Sequence, residues 1–290
     1  MKISTAIVGS KMKEFTTEVT WRQTTNYAAS VNDLNPRYMD DTGESGIVAP
    51  PMFAAAVTWP VLESINEYLE TPYPRELFHT MVHYAEHIEF FRPILPGDRL
   101  TVKGEVAAVV PHKSGTLFMV KLMVYNHAGL PVFTEYTGAL LRGVLCDDAA
   151  GAGSMPAVPH LETAPSPLWE AEVPISKAAP YIYDGCTNIV FAIHTSPKFA
   201  ASVGLPGIIY QGTATMAHAV RELINREAGG DPARLKVLSG RFTGMVFPGS
   251  IIKIQLLNRR TAGEGRELFF RVLNGQGQEA ISKGYARLGF

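Results

Sequence analysis

The segments FFRPILPGDRLTVKGEV, residues 90–106, and RFTGMVFPGSIIKIQLL, residues 241–257, are one piece of architecture written twice. Each carries apolar residues into a Pro-Gly turn and leaves it on an alternating apolar stretch, the pattern of a strand with one buried face. The repetition continues on both sides. Upstream, Gly46-Ile47-Val48 precedes an apolar helical pattern over 52–69, and Gly207-Ile208-Ile209 precedes another over Thr213–Glu227. Downstream, LFMVKLMVYNHAG (117–129) is answered by LFFRVLNGQGQ (268–278), and FTEYTGALLRG (133–143) by AISKGYARLGF (280–290). Five matched features recur in one order about 150–160 residues apart, so the chain is a tandem duplication.

Each copy has one helix and several strands joined by short turns, which makes the fold class α+β. The first copy predicts strands at His83–Phe91, Arg99–Val110, Leu117–Tyr125 and Pro131–Arg142, preceded by a strand or lead-in at 15–26. Residues 144–176 lose this periodicity and become rich in Ala, Gly, Pro and Ser, so they read as a surface linker pinned by Leu168 and Trp169. The expected division is 1–143, linker 144–176, and 177–290, with residues 183–206 forming a polar loop and the two halves docked as a pseudo-dimer.

The 290 residues are 46% hydrophobic and 18% charged, with a formal net charge of -1. That balance supplies no global field for nucleic acid or an anionic membrane. No apolar run has the length of a bilayer span, the N-terminus lacks a signal-peptide pattern, and Cys146 and Cys186 form no framework. A cytoplasmic location follows as the expectation.

Chemistry concentrates between Tyr181 and Gly212. His194 is an acid/base group titrating near working pH, and Gly212 opens the second helix, where an unpaired backbone N–H can hold an oxyanion. Asp184 and Asn188 lie upstream on the same stretch, and Gln211 adjoins the glycine with a side-chain donor. In the first half, Asp33, Asn35 and Tyr38 occupy the corresponding loop, where Asx residues before a proline shape turns or wall a second site. Two histidines, His83 and His87, flank one strand without the companions that a metal site needs, and His218 reads as an ordinary helix residue. No metal or redox cofactor is expected. Lys236, Arg241, Arg259 and Arg260 are the cations available to a phosphorylated substrate.

These motifs resemble the MaoC-like (R)-specific enoyl-CoA hydratases and dehydratases in their double-hotdog form. YAASVNDLNPRYMDD, GIVAPPMF and HIEFFRPILPGDRLTV are similar to the dehydratase-like half, and IHTSPKFAASVGLPGIIYQGTATMA to the hydratase half. The resemblance implies two sheets, each wrapped around a long central helix, with the first half non-catalytic and lending space to the acyl chain. It implies a hydro-lyase that adds water reversibly to a 2-enoyl-CoA, with coenzyme A present only as the thioester substrate. A homodimer of double-hotdog chains is the macromolecular partner it allows.

The family loop reads Gly-Asp-x-Asn-Pro-hydrophobic-His. Counted back from His194, its aspartate, asparagine and proline positions hold Ile189, Phe191 and Ala192; the first half keeps Asp33, Asn35 and Pro36 but has Tyr38 in place of histidine. The partner of His194 is left open between Asp184, a carboxylate of the facing helix such as Glu63, and a backbone carbonyl or Asn188. Because of the replaced residues, a thioesterase and a non-catalytic acyl-CoA-binding protein stand as alternatives.

Overall fold

The computed structural model describes residues 1–290 except 45, 72, 74, 79, 80 and 164, with backbone alone for 75 and 78. The first half runs β1 (Phe15–Glu18), α1 (Trp21–Ser30), α2 (Phe53–Glu63), β2 (Met81–Phe90), β3 (Arg99–His112), β4 (Gly115–Asn126) and β5 (Pro131–Arg142). The second repeats it with β6 (Trp169–Ile175), α3 (Ala179–Thr187), α4 (Gly212–Glu227), β7 (Leu235–Phe242), β8 (Ser250–Ala262), β9 (Gly265–Leu273) and β10 (Glu279–Gly289). Strand order is β1-β3-β4-β5-β2 followed by β7-β10-β9-β8-β6, so the second half mirrors the first. All neighbours are antiparallel. The expected two sheets fuse into one, because β2 and β7 pair from Glu89↔Val237 to Ala85↔Arg241.

The inner face of this sheet curls around α2 and α4. Helix α2, FAAAVTWPVLE, is apolar on nearly every side and is buried accordingly. It is shorter than the 52–69 reading, because Pro60 has no N–H for the helical ladder, Ser64 closes the helix, and Ile65–Tyr68 forms a separate turn. Helix α4 matches its expectation and adds Gly212 as first residue.

Three segments differ from the sequence reading. Only Phe15–Glu18 of the 15–26 stretch is strand; α1 begins behind a capping box in which Thr20 Oγ1 accepts from Gln23 N and Gln23 Oε1 accepts from Thr20 N. Residues 179–187 form helix α3, opened by Pro180 in its first turn, which takes in 183–187 of the polar-loop reading. Seven residues near the end of the linker reading, Trp169–Ile175, form β6, whose apolar Ala171, Val173 and Ile175 alternate with exposed Glu170, Glu172 and Pro174 and pair with β8. Trp169 does pin this segment, donating Nε1–H to Glu227 Oε1 at 2.8 Å, whereas Leu168 is held by its backbone and its side chain is exposed.

The Arg-Pro-x-x-Pro-Gly-Asp turn of the first half is a closed polar unit. Both terminal nitrogens of Arg92 donate to the Asp98 carboxylate at 2.8 Å, Leu95 N–H donates to Oδ2 at 2.8 Å, and Gly97 takes φ 87°. Asp98→Ala leaves three donors unsatisfied at a partly buried turn. It is expected to lower unfolding free energy by about 1–3 kcal/mol, read from the urea midpoint at unchanged m-value.

The halves are clasped at their centre by α1 and α3. Tyr27 and Tyr183 hydroxyls meet at 2.9 Å in the core, and Tyr183 O–H reaches Thr213 Oγ1 at 3.0 Å. Burial holds both phenols above their ordinary pKa, so they stay neutral and hydrogen-bonded.

Candidate functional site

His194 ends a single 3-10 turn, Ala192–His194, after α3. Its Nδ1 lies 2.9 Å from the carbonyl oxygen of Ile209. Only a protonated nitrogen can donate to a carbonyl, so Nδ1 carries the hydrogen and Nε2 keeps its lone pair. Burial, partly offset by that bond, lowers the imidazole pKa to about 4, which keeps it neutral at physiological pH. The orienting group is therefore the backbone carbonyl that the sequence left among three alternatives.

The same carbonyl-bearing segment leads into α4. Gly212 is the first residue of that helix, and no acceptor among the described residues takes its N–H. The start of a sixteen-residue helix adds the positive end of the macrodipole. A side chain at this position would meet the Phe242 ring, since an added Cβ lies 3.0 Å from Cδ1. Glycine thus lets the backbone approach while Phe242 closes one side.

The first half shows by contrast what the second retains. Val48 N–H bonds Arg37 O at 2.9 Å just as Ile209 N–H meets Ile193 O at 3.5 Å, which places Tyr38 and His194 in equivalent positions. Counted from the matched Gly46 and Gly207, the residue equivalent to Gly212 is Pro51. Proline has no N–H to offer. The first half therefore lacks both the imidazole and the oxyanion donor.

The other sequence candidates have structural work. Asp33 Oδ1 accepts from Asn35 N at 3.3 Å; Asn35 caps Pro36–Met39 through Arg37 N and donates to Gly230 O at 2.8 Å, stitching the halves together. Tyr38 is buried against Ala28 and Val48. Asn188 caps α3 in the left-handed region at φ 56°. Gln211 is buried, and its amide nitrogen donates to Pro180 O at 3.0 Å, tying the mouth of α4 to α3. Asp184 belongs to α3 and not to a loop free to fold back; Oδ2 has no hydrogen-bond partner among the described residues, and burial raises its pKa.

Arg241 is not brought to the site. It precedes Phe242 on β7, so its side chain leaves the opposite face of the sheet from Gly212 and lies 6.0 Å over the Tyr84 ring. Arg259 and Arg260 pair with Glu227 and Glu267, and Lys236 donates to Ala233 O. His218 is buried in α4 with Nε2 3.0 Å from Tyr210 O–H, and burial lowers its pKa to about 3. The family's aspartate position, Ile189, is packed in the core.

Sequence reasoning missed a buried polar cluster on the inner face of the first half. Glu86 and Glu135, from β2 and β5, are each 1% exposed. His83 Nε2 lies 3.0 Å from Glu86 Oε2 and 3.1 Å from Thr137 Oγ1, and its ring stands 4.5 Å from that of Phe242. Burial pushes Glu86 up to about 8 and Glu135 well above the carboxylate range, the neighbouring Glu86 adding to the latter, while burial lowers His83 to about 4. The available signal was the pairing of glutamates with apolar inward positions, Glu86 with Ile88 and Glu135 with Phe133. Among the described residues no three His, Cys, Asp or Glu side chains could hold a metal ion.

Comparison with known proteins follows the duplication. Residues 6–135 match the FAS1-like dehydratase domain region, and residues 162–270 match the MaoC like domain. The chain joins a FAS1-like dehydratase region to a MaoC-like domain. Peroxisomal enoyl-CoA hydratase 2 of Arabidopsis thaliana is 26% identical over 223 residues, covering 72% of this chain and 69% of the relative. Peroxisomal multifunctional enzyme type 2 of Drosophila melanogaster is 26% identical over 249 residues, 81% of this chain but only 40% of that protein. Among solved structures, a MaoC-like dehydratase from Phytophthora capsici superposes with a TM-score of 0.81 at 22% identity, covering 98% and 97% of the two chains. A Mycobacterium tuberculosis protein described as a double hotdog superposes at 0.61 with 14% identity, covering 97% and 96%. This MaoC-like chain has no helix among its described residues long and apolar enough to cross a membrane.

Proposed function

We propose that the chain is a hydro-lyase that adds water to a 2-enoyl-CoA, or removes it from a 3-hydroxyacyl-CoA, at the site made by His194 and Gly212. The observation that carries this reading is the bond from Nδ1 to Ile209 O, which aims a neutral imidazole with a free Nε2 lone pair from the segment that ends at the Gly212 N–H. The match to the MaoC like domain supports hydratase or dehydratase chemistry, and the Arabidopsis relative named above is an enoyl-CoA hydratase.

In the forward direction Nε2 takes a proton from water as its oxygen bonds the β-carbon. Electron density moves through the double bond onto the thioester oxygen, where the Gly212 N–H and the helix dipole stabilise it. The imidazolium then returns its proton to the α-carbon, so that one water supplies both added groups. This one-base cycle is what an imidazole backed by a carbonyl and not by a carboxylate can perform. The exposed Val190 and Phe191, the latter with its ring 6.2 Å from that of His194, give the acyl chain an apolar rim. The first half takes up the remainder of the chain, and a second copy of the protein is the proposed assembly partner.

The test follows crotonyl-CoA and longer or branched 2-enoyl-CoAs by loss of enoyl-thioester absorbance, with a thiol reagent in parallel. Loss of absorbance without thiol release is expected. Thiol release would assign a thioesterase, and saturable binding without turnover a non-catalytic binder.

A further inference from the structure

The outer face of the sheet, away from His194 and Gly212, holds a cavity of ≈ 210 Å³ where the two halves meet. A single water needs only about 10–15 Å³ measured in this way, so the space suits a small molecule. Its origin lies in the register of three adjoining strands. Gly138, Ala85 and Arg241 form one cross-strand row of β5, β2 and β7, and Tyr136, His87 and Ser239 form the next. Small residues sink the floor while Tyr84 and Tyr136 stand up beside it.

The linker supplies the roof. After Ala152–Gly153 pairs with β3, the chain crosses the sheet, and Val158 and Leu161 pack on Val237, Phe269 and Tyr285. Between these anchors Met155, Pro156 and Pro159 cover the cavity with apolar surface.

Its permanent charges are one-sided, although the roof also carries His160, with Nε2 3.5 Å from Glu162 Oε1. Arg241 and Lys283 line it, and neither forms an ion pair with a described carboxylate. Lys283 is the extra residue of a bulge between Ser282 and Tyr285 opposite β7 and takes φ 51°, a conformation costly for lysine that turns its side chain out of the regular alternation. The only carboxylate-bearing residue in the lining, Glu86, directs its side chain to the inner face. Glu89, next along the outer face, is engaged by His87 Nε2 at 3.2 Å.

We propose that this cavity is a binding site for a small planar organic anion, an aromatic or unsaturated carboxylate held between the tyrosine rings, with its charge on Arg241 and Lys283. Two cations, aromatic walls and an apolar roof are the complement of that chemistry.

Calorimetric titration of the full chain with benzoate and with its neutral isostere benzamide tests it. Benzoate is expected to bind at one saturable site at least tenfold more tightly than benzamide. Arg241→Gln combined with Lys283→Gln should erase that difference, and Ala85→Leu, which fills the floor, should remove binding. Thermal melts confirm folding, and Lys283→Gln alone serves if the other variants are unstable. Saturating benzoate should leave the apparent affinity for crotonyl-CoA unchanged. Equal affinity for the two ligands, an unaltered double variant, or competition with crotonyl-CoA would each overturn the proposal.

Discussion

His194→Ala is expected to lower kcat for enoyl-CoA hydration by about 10²- to 10⁴-fold while leaving the melting temperature within a few degrees of wild type. The side chain is half-buried and makes one hydrogen bond, to Ile209 O, so its loss takes away the base without opening the core. His194→Gln keeps a donor for that carbonyl but no titratable group, and it should be as inactive as alanine. The pH profile carries a second signature. With the imidazole pKa lowered to about 4, the neutral form dominates from pH 6 to 8, so kcat/KM should be flat there and fall only as pH drops towards the lowered value. An acidic limb near the ordinary histidine value would mean that an unshifted group does the work.

The second large effect is on stability. In the native chain Glu86 holds its proton up to about pH 8, and Glu135 is shifted in the same direction, whereas the unfolded chain releases both near the ordinary value of 4.5. The native state then binds more protons, so stability is complete below the unfolded value and is lost as pH rises towards the folded one. His83, His87, His194 and His218 act oppositely: their lowered values make stability rise with pH until the unfolded histidines, which titrate around 6.5, are neutral. Between pH 6.5 and 8 the carboxyls work against the last of the histidine gain, about 0.4 kcal/mol for each lowered imidazole, since unfolded histidines are still half-protonated at 6.5. The expected fall for Glu86 is on the order of 2 kcal/mol over that window. Chemical unfolding at pH 6.5 and 8 should show a net fall for wild type, and the Glu86→Gln, Glu135→Gln double variant should instead rise with pH over that window and be more stable than wild type at the higher pH. A double variant that tracks the wild-type fall would show that other groups govern it.

The duplication was legible because the Pro-Gly turns and alternating strands 90–106 and 241–257 are local patterns with a fixed period. Helices α1 and α3 were not, since each is about ten residues long and polar enough to pass for loop; their signals were single residues, Gln23 in a capping box and Pro180 in a first turn. Strand β6 hid in the linker because its alternation, Ala171-Val173-Ile175, follows directly on a Pro- and Ser-rich stretch. At the site, His194 and Gly212 could be read from residue type and position. The group that orients His194 could not, because every residue has a carbonyl and only the fold selects that of Ile209. The buried Glu86–Glu135 pair joins two strands far apart in sequence, so only the β2–β5 register brings it together. Pro51 opposite Gly212 was readable in principle, once the two helix mouths are aligned from Gly46 and Gly207.

In the proposed reaction His194 activates water against the β-carbon of an acyl thioester. Its most direct test is to incubate the protein with 3-hydroxybutyryl-CoA in heavy-oxygen water and locate the label by mass spectrometry. Reversible dehydration and rehydration predicts heavy oxygen in the β-hydroxyl group with wild-type protein and incorporation about 10²- to 10⁴-fold slower with His194→Ala. Label in the carboxylate of a released acid, label with the variant equal to wild type, or no label from wild-type protein would contradict it.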